Sequence, residues 1–341
     1  AFPLLENVVS NSIRGHALYD TSRAGTMVYF RGAGIDREGN GLEWLDATGR
    51  STPIPGLGGA FSPRLSPDGK RVAYFERDGR VTTLWVYDLQ RNAKGKLTFE
   101  ENPLSFAWTP DSRAILFSAG NKLYWTRADG ASKPQQVLED TESMWVYDIS
   151  PDGRLLAMQK HASVLLLAKL EYTGTPSGDV APRVGKTEKC CEERSPSFVG
   201  GGRFSPDGKW ISYHSTDTTN FQVYVRAVPD SGAKWQVSAA GGGGASQWVP
   251  NSRQMYFRTP NSIMVVDYSA NGSAFVPGTP RVWLERRIAG RYSVGNISVA
   301  ADGKRMVVVS TGGTENDASP QATIIFNLFE EVRRRALANG Q

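Results

Sequence analysis

Few residues in this 341-residue chain are of types that do chemistry, and they are scattered. The three histidines, His16, His161 and His214, fall in separate segments, and the two cysteines are neighbours, Cys190 and Cys191. Structural zinc is held by four nitrogen or sulfur ligands, commonly as spaced pairs, so this set points to no zinc site. Adjacent cysteines bridge only through a strained ring, and two reduced or modified thiols on a loop are the simpler expectation. The carboxylates Glu76, Asp78, Glu142, Glu192 and Asp217 lie near turns and could surround a central metal, but solvated loop charge is the plainer reading of each. Gly241 to Gly244 lack the lysine-serine ending of a phosphate loop and open a strand, which makes them a connection between strands. No Gly-x-Ser-x-Gly nucleophile elbow occurs. No catalytic residue, metal ligand or cofactor is therefore expected.

The composition suits a folded, strand-rich chain. Its 36 glycines and 19 prolines are spread along the length, and charged residues make up only 21%. The formal charge of +5 is interspersed with acids, and the single tight basic run is Arg333-Arg334-Arg335. Without a basic stripe carrying interleaved aromatics, no nucleic-acid partner is expected. No stretch reaches the ~18–20 apolar residues of a membrane span, and no charged-then-apolar leader is seen at the start.

One phrase organises the chain. It reads Ser66-Pro67-Asp68-Gly69-Lys70, then Thr109-Pro110-Asp111-Ser112-Arg113, Ser150-Pro151-Asp152-Gly153-Arg154 and Ser205-Pro206-Asp207-Gly208-Lys209. Val249-Pro250-Asn251-Ser252-Arg253, Ala301-Asp302-Gly303-Lys304 and Ser22-Arg23-Ala24-Gly25-Thr26 are weaker copies. Proline presets φ, aspartate bonds nearby amides and glycine accepts the positive φ, so each copy is a tight reversal between antiparallel strands. The glycine position recurs at 25, 69, 112, 153, 208, 252 and 303, a step of ~40–50 residues, the period of a propeller blade. A second phrase, such as Leu84-Trp85-Val86-Tyr87-Asp88 or Val223-Tyr224-Val225-Arg226, alternates with period two and supplies each third strand. The long step after residue 153 is expected to hold a polar insertion, Thr173 to Ser197, that carries the cysteines.

The fold expected is thus all-β: a seven-bladed β-propeller of four-stranded antiparallel blades, one domain spanning 1–341. An N-terminal strand over 2–9 would pair with Ala322–Phe326, complete the last blade and close the ring. A short helix is expected near 328–337.

These phrases resemble the TolB-type, WD40-like propeller repeats, and the likeness spans nearly the whole chain. It looks most like the propeller regions of bacterial receptor-type serine/threonine kinases, on Gly25–Tyr29 with Leu42–Asp46, the first strong repeat, and Ile324–Glu331. The resemblance implies a sensing or protein-contact role outside the cytoplasm, and it brings no catalytic motif with it.

In such a ring the loops between blades share one face with the loops joining second and third strands. That face is expected to be acidic on one side (Glu100, Glu101, Glu139, Asp140, Glu142) and basic on the other (Arg286, Arg287, Arg291, Arg14, His16), with Phe61, Trp145 and Tyr292 as contact anchors. The expected function is a non-catalytic binding module for a protein, peptide or glycan. A metal-assisted hydrolase or lactonase with a central site, and a self-assembling structural subunit, are its alternatives.

Overall fold

A computed structural model of the chain describes residues 10–11, 16–17, 19–22, 26–31, 41–160, 163–193, 197–216, 220–239, 242–250, 252–272, 274–289, 295–310 and 321–338. The chain divides into two compact units, Gly39–Thr311 and a smaller one built from its two ends, Ala1–Glu38 with Gly312–Gln341.

The recurring turn forms as its residue types demand. The Ser66 hydroxyl donates to Asp68 Oδ1 at 2.6 Å and accepts the Arg71 amide at 3.0 Å, while the Ser66 amide donates to the Arg71 carbonyl at 2.8 Å. Thr109, Ser150 and Ser205 repeat the pattern with Asp111, Asp152 and Asp207. Gly69, Gly153, Gly208 and Gly303 sit at φ between 64° and 75°, the left-handed region that glycine enters without strain. Ser112 holds the same place at φ 63°, and its atoms are used: its hydroxyl accepts the Asp68 amide and its carbonyl accepts from Arg71 Nη2 at 2.7 Å.

Each turn joins the first two strands of a blade. Blade one is Phe61–Leu65, Arg71–Asp78, Val81–Asp88 and Ala93–Lys96. Blade two is Ser105–Trp108, Ala114–Ala119, Lys122–Arg127 and Gln135–Glu139. Blade three is Trp145–Ile149, Leu155–Gln159, Val164–Glu171 and Arg183–Glu192. Blade four is Val199–Phe204, Trp210–Ser215, Gln222–Ala227 and Lys234–Gln236. Blade five is Gly244–Trp248, Gln254–Arg258, Ile263–Asn271 and Arg281–Leu284, with Ala274–Pro277 paired to the last four residues of its third strand, Tyr268–Asn271. Packed layers between neighbours form the core: Phe75, Leu84, Phe106 and Phe117 between blades one and two, and Trp210, Phe257 and Phe275 between four and five.

Blade six shows how the ring closes. Its inner strands, Ile297–Val299 and Arg305–Val309, come from the end of the unit, and its outer strands, Leu42–Asp46 and Ser51–Pro53, from the beginning. Met306 pairs with Leu45 and Val308 with Glu43. The inner strand of blade six packs on that of blade one, where the Ser298 hydroxyl accepts the Leu65 amide at 2.9 Å, so the six blades follow one another cyclically.

The smaller unit contains a three-stranded sheet, Tyr19–Thr21, Met27–Arg31 and Gln321–Ile325, in that order. Met27, Tyr29 and Leu328 form its buried cluster, and the expected helix runs Leu328–Ala338. A two-residue bridge, Ser10–Asn11 with His16–Ala17, lies in the same unit.

Among the described residues there are thus seven antiparallel sheets of three or more strands. The third strands of the first and last repeats are exchanged relative to the order expected. Leu42–Asp46 pairs with Arg305–Val309 rather than with Met27–Arg31, and Met27–Arg31 takes Gln321–Ile325 instead. The strand expected over 2–9 lies outside the described residues.

If Leu42–Asp46 is the clasp, Leu45, which is fully buried among Val249, Ile263 and Met306, is its most sensitive point. Leu45→Ala should lower the unfolding free energy by about 2–5 kcal/mol in urea titration, the cost of a core truncation. A loss below about 1 kcal/mol, the cost of a half-exposed leucine, would show that this strand does not close the ring.

Candidate functional site

The loops on one face of the ring are tied to each other. The Thr82 amide, at the start of blade one's third strand, donates to Asn102 Oδ1, which belongs to the connection into blade two, at 2.8 Å. Asn121 Nδ2 donates to the Asp140 carbonyl at 2.6 Å, and the Met144 amide donates to the Gly120 carbonyl at 2.9 Å, joining the corresponding loops of blade two. Asp140 also pairs with Lys160 of blade three, and chiefly that bond holds its carboxyl below the ordinary range.

The acidic side chains expected on this face are present and mostly open to solvent. Glu100, Glu101, Glu139 and Glu142 stand on or beside the blade one to two and two to three connections. Glu101 accepts the Phe99 and Glu100 amides, which orders its own loop, and Glu139 is 3.7 Å from Lys122. Trp145 begins the inner strand of blade three and is 40% exposed. Three large apolar residues that sequence reasoning passed over lie in or beside these loops: Phe99 at 59% and Leu104 at 41% exposure in the connection into blade two, and Val81 at 54% as the first residue of blade one's third strand. The loop positions of Phe99 and Leu104 gave no periodic signal. Phe61 is instead half-buried, packed on Phe75 beneath Arg77.

The basic half is not assembled in the same way. Arg286 turns between blades five and six, where it pairs with the buried Glu43 and donates to the Gly49 carbonyl at 3.4 Å. Arg287 is exposed. Arg291, Tyr292 and Arg14 lie outside the described residues, as does the His16 side chain. Of the possible metal-binding carboxylates, Glu76 pairs with Lys94 and Glu192 with Lys189, and Asp217 is outside the described residues. Among the described residues no three His, Cys, Asp or Glu side chains converge as a metal site.

A second polar cluster lies at the axis. Two positions before the turn residue, the inner strands of blades one to six carry Arg64, Ala107, Asp148, Arg203, Gln247 and Ser298. Arg64 Nη1 donates to the Tyr147 carbonyl of blade three, reaching past blade two, where Ala107 offers only a methyl group. Arg203 Nη1 donates to the same carbonyl at 2.7 Å from blade four. Asp148 Oδ2 accepts the Phe204 amide at 3.0 Å, and its Oδ1 is 4.0 Å from Arg203 Nη1. Burial, and then the neighbouring Arg203, pushes the Arg64 pKa well down. Burial likewise lowers that of Arg203 and raises that of Asp148 despite both arginines.

The cysteines correct an expectation. The polar stretch from 173 to 197 is not all loop: Arg183–Glu192 is the ten-residue outer strand of blade three. Leu165 faces Cys191 and Leu166 faces Lys189, so Cys190 is the extra residue of a bulge and both thiols turn inward. They are free, fully buried beside Ile211 and Tyr213, with the sulfurs 2.8 Å apart. Burial pushes the Cys191 thiol well up.

No protein-family model matches the chain. An uncharacterized protein of Agrobacterium fabrum is 27% identical over 157 residues, 45% of this chain and 49% of that protein. An uncharacterized peptidase of Bacillus subtilis is 24% identical over 184 residues, 53% of this chain and 24% of that protein. The chain thus spans half or less of the curated relatives it matches. Among solved structures, a TolB of Agrobacterium tumefaciens, described as putative, superposes with a TM-score of 0.57 at 16% identity, covering 79% of this chain and 96% of that one. TolB of Acinetobacter baumannii gives 0.51 at 16% identity, over 84% of this chain and 64% of that one, and a chain of a nidogen/laminin complex gives 0.50 at 9%, over 79% and 98%. The chain has a TolB-type β-propeller fold. These likenesses do not bear on kinase propellers.

Two outcomes follow from the buried groups. Replacing Cys190 and Cys191 by serine should lower the unfolding free energy by roughly 1–3 kcal/mol per hydroxyl left without a partner. Unchanged denaturation of the double variant would place the thiols outside the core. His214, stacked on Phe198 and edge-on to Phe221, is held by burial down to about 4. Between pH 6.5 and about 4 the unfolded chain takes up a proton that the folded chain refuses, so stability should fall through that window and level off below it. The loss attributable to His214 is roughly 3 kcal/mol, and His214→Phe should remove it from the stability-against-pH curve. A curve of the same slope in the variant would assign the loss to other groups.

Proposed function

We propose that this chain is a non-catalytic docking module whose acidic, aromatic-bearing rim over blades one to three receives a basic segment of a protein or peptide. The observation that carries this reading is the placement of Val81, Phe99, Leu104 and Trp145, all at least 40% exposed, among Glu100, Glu101, Glu139 and Glu142 on and beside hydrogen-bonded loops. Apolar anchors set within like charge suit a partner that brings its own apolar residues and lysines or arginines. The loops are cross-linked before any partner arrives, which reduces the ordering cost of binding. The TolB-type fold and the propeller of a nidogen/laminin complex support a protein-contact role by likeness alone. An extracytoplasmic setting, implied by the repeat family, belongs to the same proposal. Labelling of intact cells with a membrane-impermeant biotin reagent tests it.

The rim is tested on a peptide array varied in net charge and aromatic content. Basic, aromatic-containing peptides should bind the wild-type chain and lose about tenfold or more in affinity to Glu139→Lys with Glu142→Lys, and again to Phe99→Ser with Trp145→Ser, at unchanged melting temperature. Equal binding by acidic peptides or by neutral glycans, or no effect of the rim variants, would reject a basic partner.

A further inference from the structure

We propose that the axis of the larger unit holds a subsite for an anionic group, a carboxylate or a phosphate, gripped between Arg64 and Arg203. The site lies on the inner strands rather than on the loops, and it stands whether or not the rim binds a partner.

The geometry begins with one neutral acceptor. Both guanidiniums donate a single N–H to the Tyr147 carbonyl, which places two cations side by side on an atom that neutralises neither. Each guanidinium carries five N–H donors, and the remainder have no partner among the described residues. Those donors are not sealed away, because both arginine residues keep partial solvent access at the axis. The one nearby carboxylate is already engaged. Asp148 gives Oδ2 to the Phe204 amide and leaves Oδ1 at 4.0 Å from Arg203, beyond hydrogen-bond range. Two positive charges against one negative leave a net charge of +1, and Ala107, Gln247 and Ser298 at the equivalent positions add none.

Such a cluster is costly on its own, since like charges repel most strongly where water is scarce. An oxyanion between the two forks would accept several N–H bonds, offset the repulsion and match the planar donor spacing that arginine presents to carboxylate and phosphate alike. The arginines are also held in place in advance: Arg64 lies over the Phe106 ring at 5.2 Å, and the Arg64 and Arg203 carbonyls accept the indole N–H of Trp108 and Trp248 at 3.1 and 3.0 Å.

Calorimetric titration of the full chain with sodium phosphate, and separately with an acetylated, amidated pentaglutamate peptide, at matched ionic strength, tests the site and separates its two sources. At least one should bind with one-to-one stoichiometry and a Kd of about 1 mM or tighter. Arg64→Gln and Arg203→Gln should each weaken it about tenfold, while Arg287→Gln leaves it unchanged. Asp148→Asn keeps an acceptor for the Phe204 amide and removes the competing charge, so it should tighten binding severalfold, a gain that a merely structural role would not give. Binding of neither anion, or Asp148→Asn and the two arginine variants all matching the wild type, would overturn the proposal. If an arginine variant fails to fold, the Asp148→Asn result decides.

Discussion

In four of the six blades of the larger unit, one turn hydroxyl sets the geometry of the blade. The side chain of Ser66, Thr109, Ser150 or Ser205 donates to an aspartate two residues on and accepts the amide five residues on, which locks the reversal between the first and second strands. Register follows from that lock, and with period two it decides which side chains face a neighbouring blade and which stand at the axis. Where the hydroxyl is missing, at Val249 and Ala300, the backbone pair to Gln254 and Arg305 persists, and Asp302 still accepts the Lys304 amide. The reversal is therefore over-determined, and single departures from the phrase leave the blade intact.

That locality explains what was legible in the sequence. A turn held within six residues writes itself into a short phrase, so the repeat and the strand order inside blades one, two, four and five could be read. Closure could not. Leu42–Asp46 pairs with a strand more than 250 residues away, and its pattern, Leu42 and Trp44 on one face and Leu45 on the other, would suit either neighbour. What selects the partner is packing, Leu45 against Met306 and Ile297, which no local pattern records. The outer strand of blade three was hidden for a related reason. Arg183–Glu192 is dominated by lysine and glutamate because an edge strand needs few inward residues, and the bulge supplies them as an adjacent pair.

The candidate rim divides along the same line. Its acidic half follows from which loops share a face, a consequence of topology alone: Glu100, Glu101, Asp140 and Glu142 lie on those loops, and Glu139 ends the strand that leads into one. Arg286 looks equivalent in sequence, yet its partner Glu43 sits on the closing strand, so its role depended on the one pairing that the repeat could not reveal. Phe99 and Leu104 were missed because an exposed apolar residue in a short connection carries no periodicity to notice.

The axial positions show where a repeat stops speaking about structure. Residues such as Ser66 or Asp68 recur because every blade makes the same backbone demand on them. Arg64, Ala107, Asp148, Arg203, Gln247 and Ser298 occupy one equivalent place in six blades and share neither size nor charge. A common structural requirement would have imposed a common type, as it does on the turn. Asp148 and Ser298 do bind the next blade's amide, but Arg64 reaches past blade two and Arg203 back to blade three, both to the one Tyr147 carbonyl, and each leaves most of its donors unused. Two arginines packed together with one half-engaged carboxylate add repulsion that the ring's own stability does not need, since Gln247 fills the same place in blade five without charge. The ring is stiff enough to hold them there because its register is set elsewhere, by the turns. That separation of tasks, geometry in the turns and chemistry on the axis, is what lets a repetitive fold carry an unrepeated site.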